Sequence, residues 1–320
     1  MEYFIAVGLP FFLVMILGPL IIKLLKKFNF GQHIREEGPQ RHLDKEGIPT
    51  MGGLLIITGI LLTSAIYFPE LSAENGKLIW VLILTLGMGL IGFFDDYLKL
   101  RNDRSLGLKA RGKIIGQIVL ASIFAIFVYL HCGSGIILPF SDNIIVLGKW
   151  IIPLIILTVI GTANAVNLTD GLDGLAAGVT AITASSFALI LVEQHLFSLA
   201  LFALMVTGAC LGFSWFNSHP AQVFMGDVGS MALGGALAGI AVISRTEIFL
   251  LIIGGVYVLE TISVIIQVVY FKLTGGKRVF RMTPLHHHYE LQGLSESKIV
   301  ARFLIISLIF AALGLLAYYF

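Results

Sequence analysis

Runs of roughly 20 mostly apolar residues, the length that crosses the hydrocarbon core of a bilayer, recur along nearly the whole chain. They fall at about 3–22, 51–68, 77–94, 114–131, 150–166, 174–192, 197–215, 229–244, 247–271 and 299–319. In lipid every backbone N–H and C=O must find its partner inside the protein, so unbroken runs of this length are read as helices. The chain is therefore predicted to be all-α, a polytopic integral membrane protein with about ten transmembrane helices. With 57% hydrophobic and 12% charged residues, its composition lies outside the soluble globular range. The polar stretches, 23–50, 95–113 and 272–298, are too short to bury a core of their own, so residues 1–320 read as a single transmembrane domain. Met1-Glu2-Tyr3-Phe4 leads into the first run without a positive segment or a cleavage site, and that run is expected to be retained. Cys132 and Cys210 lack metal-ligand spacing and read as packing residues.

Basic residues give the orientation. Six lie between Lys23 and Lys45, six between Lys99 and Lys113, and six between Lys272 and Arg302, while the alternate loops hold only Lys77, Lys149 and Arg245. By the positive-inside rule the basic loops are cytoplasmic and both termini lie outside. That count uses no acidic residue, yet it places every acidic motif of interest on the cytoplasmic face.

The first of these motifs is Asn164-Ala-Val-Asn167-Leu-Thr-Asp170-Gly171-Leu-Asp173-Gly174, where amides and carboxylates recur every three residues between two apolar runs. If helical, they share one face, and a polar stripe there is expensive unless it is used. Carboxylates and amides suit a hard cation, and equally the edges of a base or sugar. Asp95-Asp96 ends another apolar run, with Lys99 one turn on; adjacent helical residues point about 100° apart, so the two acids are not expected to clasp one ion symmetrically. Gly226-Asp227-Val-Gly229-Ser230 opens the apolar run at 229–244, and Asp227 reads either as a helix cap or as a metal ligand. Pro284-Leu-His286-His287-His288-Tyr-Glu290 does not follow a zinc pattern and reads as a phosphate-binding loop. Mg²⁺ commonly uses one or two carboxylates together with substrate phosphates. Acids, lysines and histidines gathered on one membrane face therefore suggest handling of a diphosphate. There is no P-loop for nucleotide hydrolysis and no nucleic-acid module.

These motifs, with Pro49-Thr50-Met-Gly-Gly53, Phe93-Phe-Asp-Asp-Tyr-Leu-Lys99 and Phe224-Met-Gly-Asp-Val-Gly-Ser230, resemble the polyprenyl-phosphate N-acetylhexosamine-1-phosphate transferases through nearly the whole chain. The triple histidine followed by an aromatic residue and Glu290 is similar to the muramoyl-pentapeptide branch. The resemblance implies a transferase of the bacterial plasma membrane with its active site on the cytoplasmic face. Its substrates would be UDP-N-acetylmuramoyl-pentapeptide and undecaprenyl phosphate, its products lipid I and UMP, and its cofactor Mg²⁺. It also implies roles for residues. Asp227 is expected to bind the metal and Asp95 to deprotonate or orient the lipid phosphate, with Asp96, His286 and His287 also catalytic. Lys45, Thr50, Asn164, Asn167, Asp170, Gly171, Asp173, Asn217 and Phe224 are expected to shape the nucleotide site. Lys99 and Lys113 would contact phosphates, with Gln267 near the same cleft.

A phosphate is already ionised near neutral pH, so direct attack is expected in preference to an aspartyl-phosphate route. The alternatives are a different UDP-sugar donor, or a transporter, which would place polar groups at the midplane and on both faces. A homodimer is a possible assembly. The run at 247–271 is long enough to require tilt or a break, with Gly254-Gly255 as the flexible point. Glu260, in that run, is the ionisable residue expected at hydrocarbon depth, either as a structural group or within a lipid site.

Overall fold

The computed structural model describes residues 1–27, 47–67, 76–101, 107–141 and 143–320. The helices, in chain order, are α1 (Glu2–Lys27), α2 (Gly53–Ile66), α3 (Lys77–Arg101), α4 (Ala110–His131), α5 (Ile151–Thr169), α6 (Leu175–Glu193), α7 (Phe197–Asn217), α8 (Gly226–Ile243), α9 (Glu247–Ile253), α10 (Gly255–Leu273), α11 (Leu285–Glu290) and α12 (Glu296–Tyr319). Between α4 and α5 a short hairpin pairs β1 (Gly135–Ile137) with β2 (Ile144–Val146), antiparallel, with Ile136 opposite Ile145.

Among the described residues nine helices are long and apolar enough to cross a membrane, so the chain is an all-α polytopic membrane protein. Of the ten expected spans, that at 51–68 is the short one: α2 has 14 residues, about 21 Å at 1.5 Å per residue against a hydrocarbon core of roughly 30 Å. The expected long ninth run is two helices, α9 and α10, divided at Gly254. α3 does not stop at Phe94; it continues to Arg101, so Asp95 and Asp96 lie within a helix.

Burial orders the bundle. Of the apolar stretch of α8, 89% is inside the protein, against 22% for α10 and 28% for α1 and α12. α8 is thus the axis, packed on α3 and α5, while α1 packs on α7 and α6 on α7. Between lipid-facing helices there is no hydrophobic driving force, and close approach of small residues takes its place. At Gly92 of α3 the helices are near enough that a Cβ would collide with the carbonyl of Asp227 at the start of α8. That contact fixes the end of α8 against the last two turns of α3. The opposite end of the bundle holds the hairpin, hung from the turn after α8 by Ile137 N–H to Arg245 O at 2.9 Å and by Arg245 Nη2 to Cys132 O at 2.6 Å.

Candidate active site

Four helix ends meet at one end of the bundle. α3 brings Asp95, Asp96 and Lys99 from its last two turns, α4 brings Lys113 from its first, α5 brings Asn167 from its last, and α8 brings Asp227 from its first. The first N–H groups of a helix have no partner within it and attract anions. Here carboxyl groups from elsewhere in the chain supply the partners: Val228 N–H donates to Asp96 Oδ2 at 3.1 Å, and Gly226 N–H donates to the Asp170 carboxyl. Across from these, the Pro49–Gly53 segment is laid along Phe224–Met225, with Gly52 N–H to Phe224 O, Gly53 N–H to Met225 O and Phe224 N–H to Pro49 O, each 2.8 Å. Thr50, 7% exposed, is thereby brought beside Gly226.

Asp227 is the hub. Its Oδ2 takes Lys99 Nζ at 3.0 Å and Lys113 Nζ at 2.7 Å, and its Oδ1 takes Asn167 Nδ2 at 2.8 Å. Asn167 Nδ2 also lies 2.9 Å from Ser230 Oγ. Lys99 Nζ reaches Asp95 Oδ2 at 2.6 Å and Asp96 Oδ1 at 3.3 Å. Asp95 Oδ1 accepts from Leu108 N–H at 3.0 Å, which ties the approach to α4 onto α3. One oxygen from each of Asp95, Asp96 and Asp227 lies within 4.8 Å of the others, so the three can converge on a single cation. Three carboxylates there face two lysines. That surplus of negative charge, in a setting shielded from water, favours a divalent ion.

Asp170 ends α5 and lies outside the spanning helices. Loss of water around its carboxyl, and then the charges of Asp227, Asp96 and Asp173, push it up to about 8; the Gly226 N–H works the other way. In the metal-free protein Asp170 therefore holds its proton at neutral pH.

The remaining expected site residues divide by what they touch. Helix α5 stops at Thr169, so the three-residue spacing does not continue as one stripe. Asn164 lies a turn deeper than Asn167 and donates to Gln117 Oε1 at 2.9 Å and to Ile160 O at 2.8 Å. Asp173 turns away from Asp227: its Oδ2 lies 3.0 Å from His219 Nδ1 and accepts from Ala221 N–H at 3.2 Å, and its own N–H donates to Glu296 Oε1 at 2.7 Å. Asn217 brackets the same turn, accepting from Gly174 N–H and donating to Val223 O. Gln267 accepts from Val279 and Phe280 N–H and so holds the loop that follows α10. His287 Nδ1 is 2.7 Å from Glu290 Oε2. His286 is 0% exposed, packed on Gly171, and out of reach of a phosphate while the 170–174 turn keeps this position. Lys45 lies outside the described residues.

Ser230 was quoted with its motif but given no role, and Gln117 went unnamed. Ser230, three residues after Asp227, shares Asn167; Gln117, four residues after Lys113, carries the polar line one turn inward. The helical spacing from a named residue was the available signal in both cases. His219 and Glu296 join Asp173 in a second group able to hold an ion, but they come from distant segments and no local pattern marks them.

The family model described as Glycosyl transferase family 4 matches residues 78–245, more than half of the chain, and the signature described as Phospho-N-acetylmuramoyl-pentapeptide-transferase signature 1 matches 45–57. A protein of that name from Desulforamulus reducens is 50% identical over 99% of this chain and 96% of its own length. The chain belongs to the phospho-N-acetylmuramoyl-pentapeptide-transferase family. Family members from Geobacillus sp., at 50% identity over 97% of this chain and 96% of theirs, and from Bacillus subtilis, at 47% over 95% and 94%, are similar to the same extent. All three of these family members are bacterial, and with nine helices among the described residues long and apolar enough to cross a membrane the chain is a multi-pass bacterial membrane protein. The family model covers α3 through α8, the helices that build the acidic cluster, and the signature covers the Pro49–Gly53 segment laid against it.

Proposed function

We propose that this protein transfers phospho-N-acetylmuramoyl-pentapeptide from its UDP-linked donor to undecaprenyl phosphate, giving lipid I and UMP, as a single transmembrane domain with its site on the cytoplasmic side and both termini outside. The observation that carries this reading is Asp227 held between Lys99, Lys113 and Asn167, with Asp95 and Asp96 alongside. Supporting the orientation, the helix ends that form the cluster adjoin the basic segments around 99–113 and 272–302.

Mg²⁺ fits the three-carboxylate set, with Asp227 as its principal ligand, and when bound would neutralise charge on the transferring phosphoryl group. The chain's own residues do the rest. In one displacement an oxygen of the lipid phosphate forms a bond to the donor β-phosphorus, and the bond from that phosphorus to the UMP oxygen breaks, with its electron pair leaving on UMP. Phosphoanhydride replaces phosphoanhydride, so little driving force is needed; two anions must be held together and the spread of charge stabilised. Lys99 and Lys113, drawn from Asp227 toward incoming phosphates, supply fixed positive charge, and Asp95 orients the attacking phosphate. Thr50, Asn167, Asp170, Gly171 and Phe224, with Lys45, receive the nucleotide; Asn164, Asp173 and Asn217 shape that receptor through the bonds given above. Gln267 and His287 face the loop side of the same cleft.

The test is UMP release by purified protein supplied with undecaprenyl phosphate and, in separate reactions, UDP-N-acetylmuramoyl-pentapeptide or UDP-N-acetylglucosamine. Release with the muramoyl donor alone is expected. Release with the glucosamine donor alone would move the protein to a different branch of the superfamily.

A further inference from the structure

Glu260 and His286 are both 0% exposed, and neither carboxylate oxygen nor either ring nitrogen makes a well-directed hydrogen bond. Their approach is His286 Nδ1 to Glu260 Oε1, 3.3 Å, a separation at which a small turn of either side chain would align an Nδ1–H···O bond. Glu260 stands in α10, the helix most open to lipid, and His286 in α11, in the loop that follows it. Burying a carboxylate there costs several kcal/mol even when it is paired, and an apolar side chain would fill the space without that cost. Its retention calls for a task that an apolar side chain cannot perform.

The other edge of the ring shows what that task is. His286 Nε2 lies so close over Gly171 that a Cβ at that position would overlap it. Gly171 directly follows Asp170, whose carboxyl accepts from the Gly226 N–H next to Asp227. A line of contact thus runs from α10, through the imidazole, to the turn that closes α5 and carries Asp170 into the acidic cluster.

We propose that Glu260 is a positioning residue for the transfer reaction, holding His286 by its Nδ1–H so that the opposite edge of the ring seats the Asp170–Gly174 turn beside Asp227. The assignment rests on the function proposed above. A carboxylate that accepts from Nδ1–H fixes both the tautomer and the plane of an imidazole, as carboxylates do behind metal-bound histidines. Lacking that acceptor, the ring turns about its Cβ–Cγ bond, and the turn resting on it loses its register. The glycine at 171 is the counterpart of this arrangement, since any larger residue would drive the ring back onto Glu260.

The experiment uses the full chain with Glu260→Leu, Glu260→Gln, His286→Ala and the Glu260→Leu/His286→Ala double variant, read by kcat for UMP release and by ¹⁵N resonances of labelled histidine, that of His286 being identified by its loss in His286→Ala. Loss of a partner that orients a site residue typically lowers activity by about 10–100-fold, and Glu260→Leu is expected to fall in that range. Glu260→Gln, which still accepts from Nδ1–H, restores most of kcat. The double variant is no slower than His286→Ala, because Glu260 acts only through the ring, and the Nδ1 signal moves in Glu260→Leu but not in Glu260→Gln. Losses that multiply in the double variant, or an Nδ1 signal indifferent to Glu260→Leu, would overturn the proposal. Should Glu260→Leu fail to fold, displacement of the Nδ1 signal in Glu260→Gln would overturn it instead. If the wild type releases no UMP, the functional reading fails, while the ¹⁵N signals still decide whether Glu260 holds His286.

Discussion

Asp170 shows how the charge of the site is balanced. Its carboxyl is pushed from an ordinary 3.8 up to about 8 by burial and by three neighbouring carboxylates. Between about pH 4 and pH 8 the folded, metal-free protein thus holds a proton that the unfolded chain has released, so stability falls as pH rises, by at most about 1.4 kcal/mol per unit. In chelator, the melting temperature of the wild type relative to Asp170→Asn is expected to fall between pH 5 and 7.5; parallel curves would contradict the assignment. Asp95, Asp96, Asp170 and Asp227 were legible in the sequence because acids beside membrane-length apolar runs have few cheap explanations. Asp173 comes from one of the same motifs, and Asn217 and Gln267 from the family resemblance, yet all three hydrogen-bond the chain itself. A residue type does not reveal whether its partner will be a ligand or a neighbouring backbone group.

At the scale of helices, the site depends on how near α3 and α8 lie. Gly92→Ala would press a methyl group against the Asp227 carbonyl. Overpacking of this kind costs about 1–3 kcal/mol, and a displacement of 1 Å at reacting groups can slow a reaction on the order of 10²-fold. The variant is therefore expected to melt lower and to lose most UMP release, whereas Gly161→Ala, which meets no neighbour, is expected to do neither. Equal losses in both would show that the contact is not special. The order and approximate position of the long helices were readable because apolar run length is set by bilayer thickness. The halt of α5 at Thr169, the extension of α3 past Phe94 and the short α2 were not, since helix ends are decided by partners distant in sequence. Gly254 did divide the ninth run as its composition suggested, leaving α9 and α10. If that break opens an apolar path for the lipid acceptor, Gly255→Leu, meeting the Phe310 ring, is expected to raise the KM for undecaprenyl phosphate with the donor KM unchanged.

Across the whole molecule, four helix ends that are far apart in the chain meet at one end of the bundle, and the described basic residues of 99–113 and 272–302 lie at that same end. With Cys132 and Cys210 replaced by serine, a cysteine at Lys277 is expected to react with a membrane-impermeant reagent only in inside-out vesicles, and one at Lys149 only in right-side-out vesicles. The reverse pattern would place the site on the other face. The central claim, that Asp227 anchors a divalent ion around which both phosphorylated substrates are held, is tested most directly by titrating Mg²⁺ into Asp227→Asn while following UMP release. The account predicts turnover lower by on the order of 10³-fold or more, unrescued by added metal, as expected when a charged group that stabilises the transition state is removed. Wild-type turnover with an unchanged Mg²⁺ dependence would contradict it.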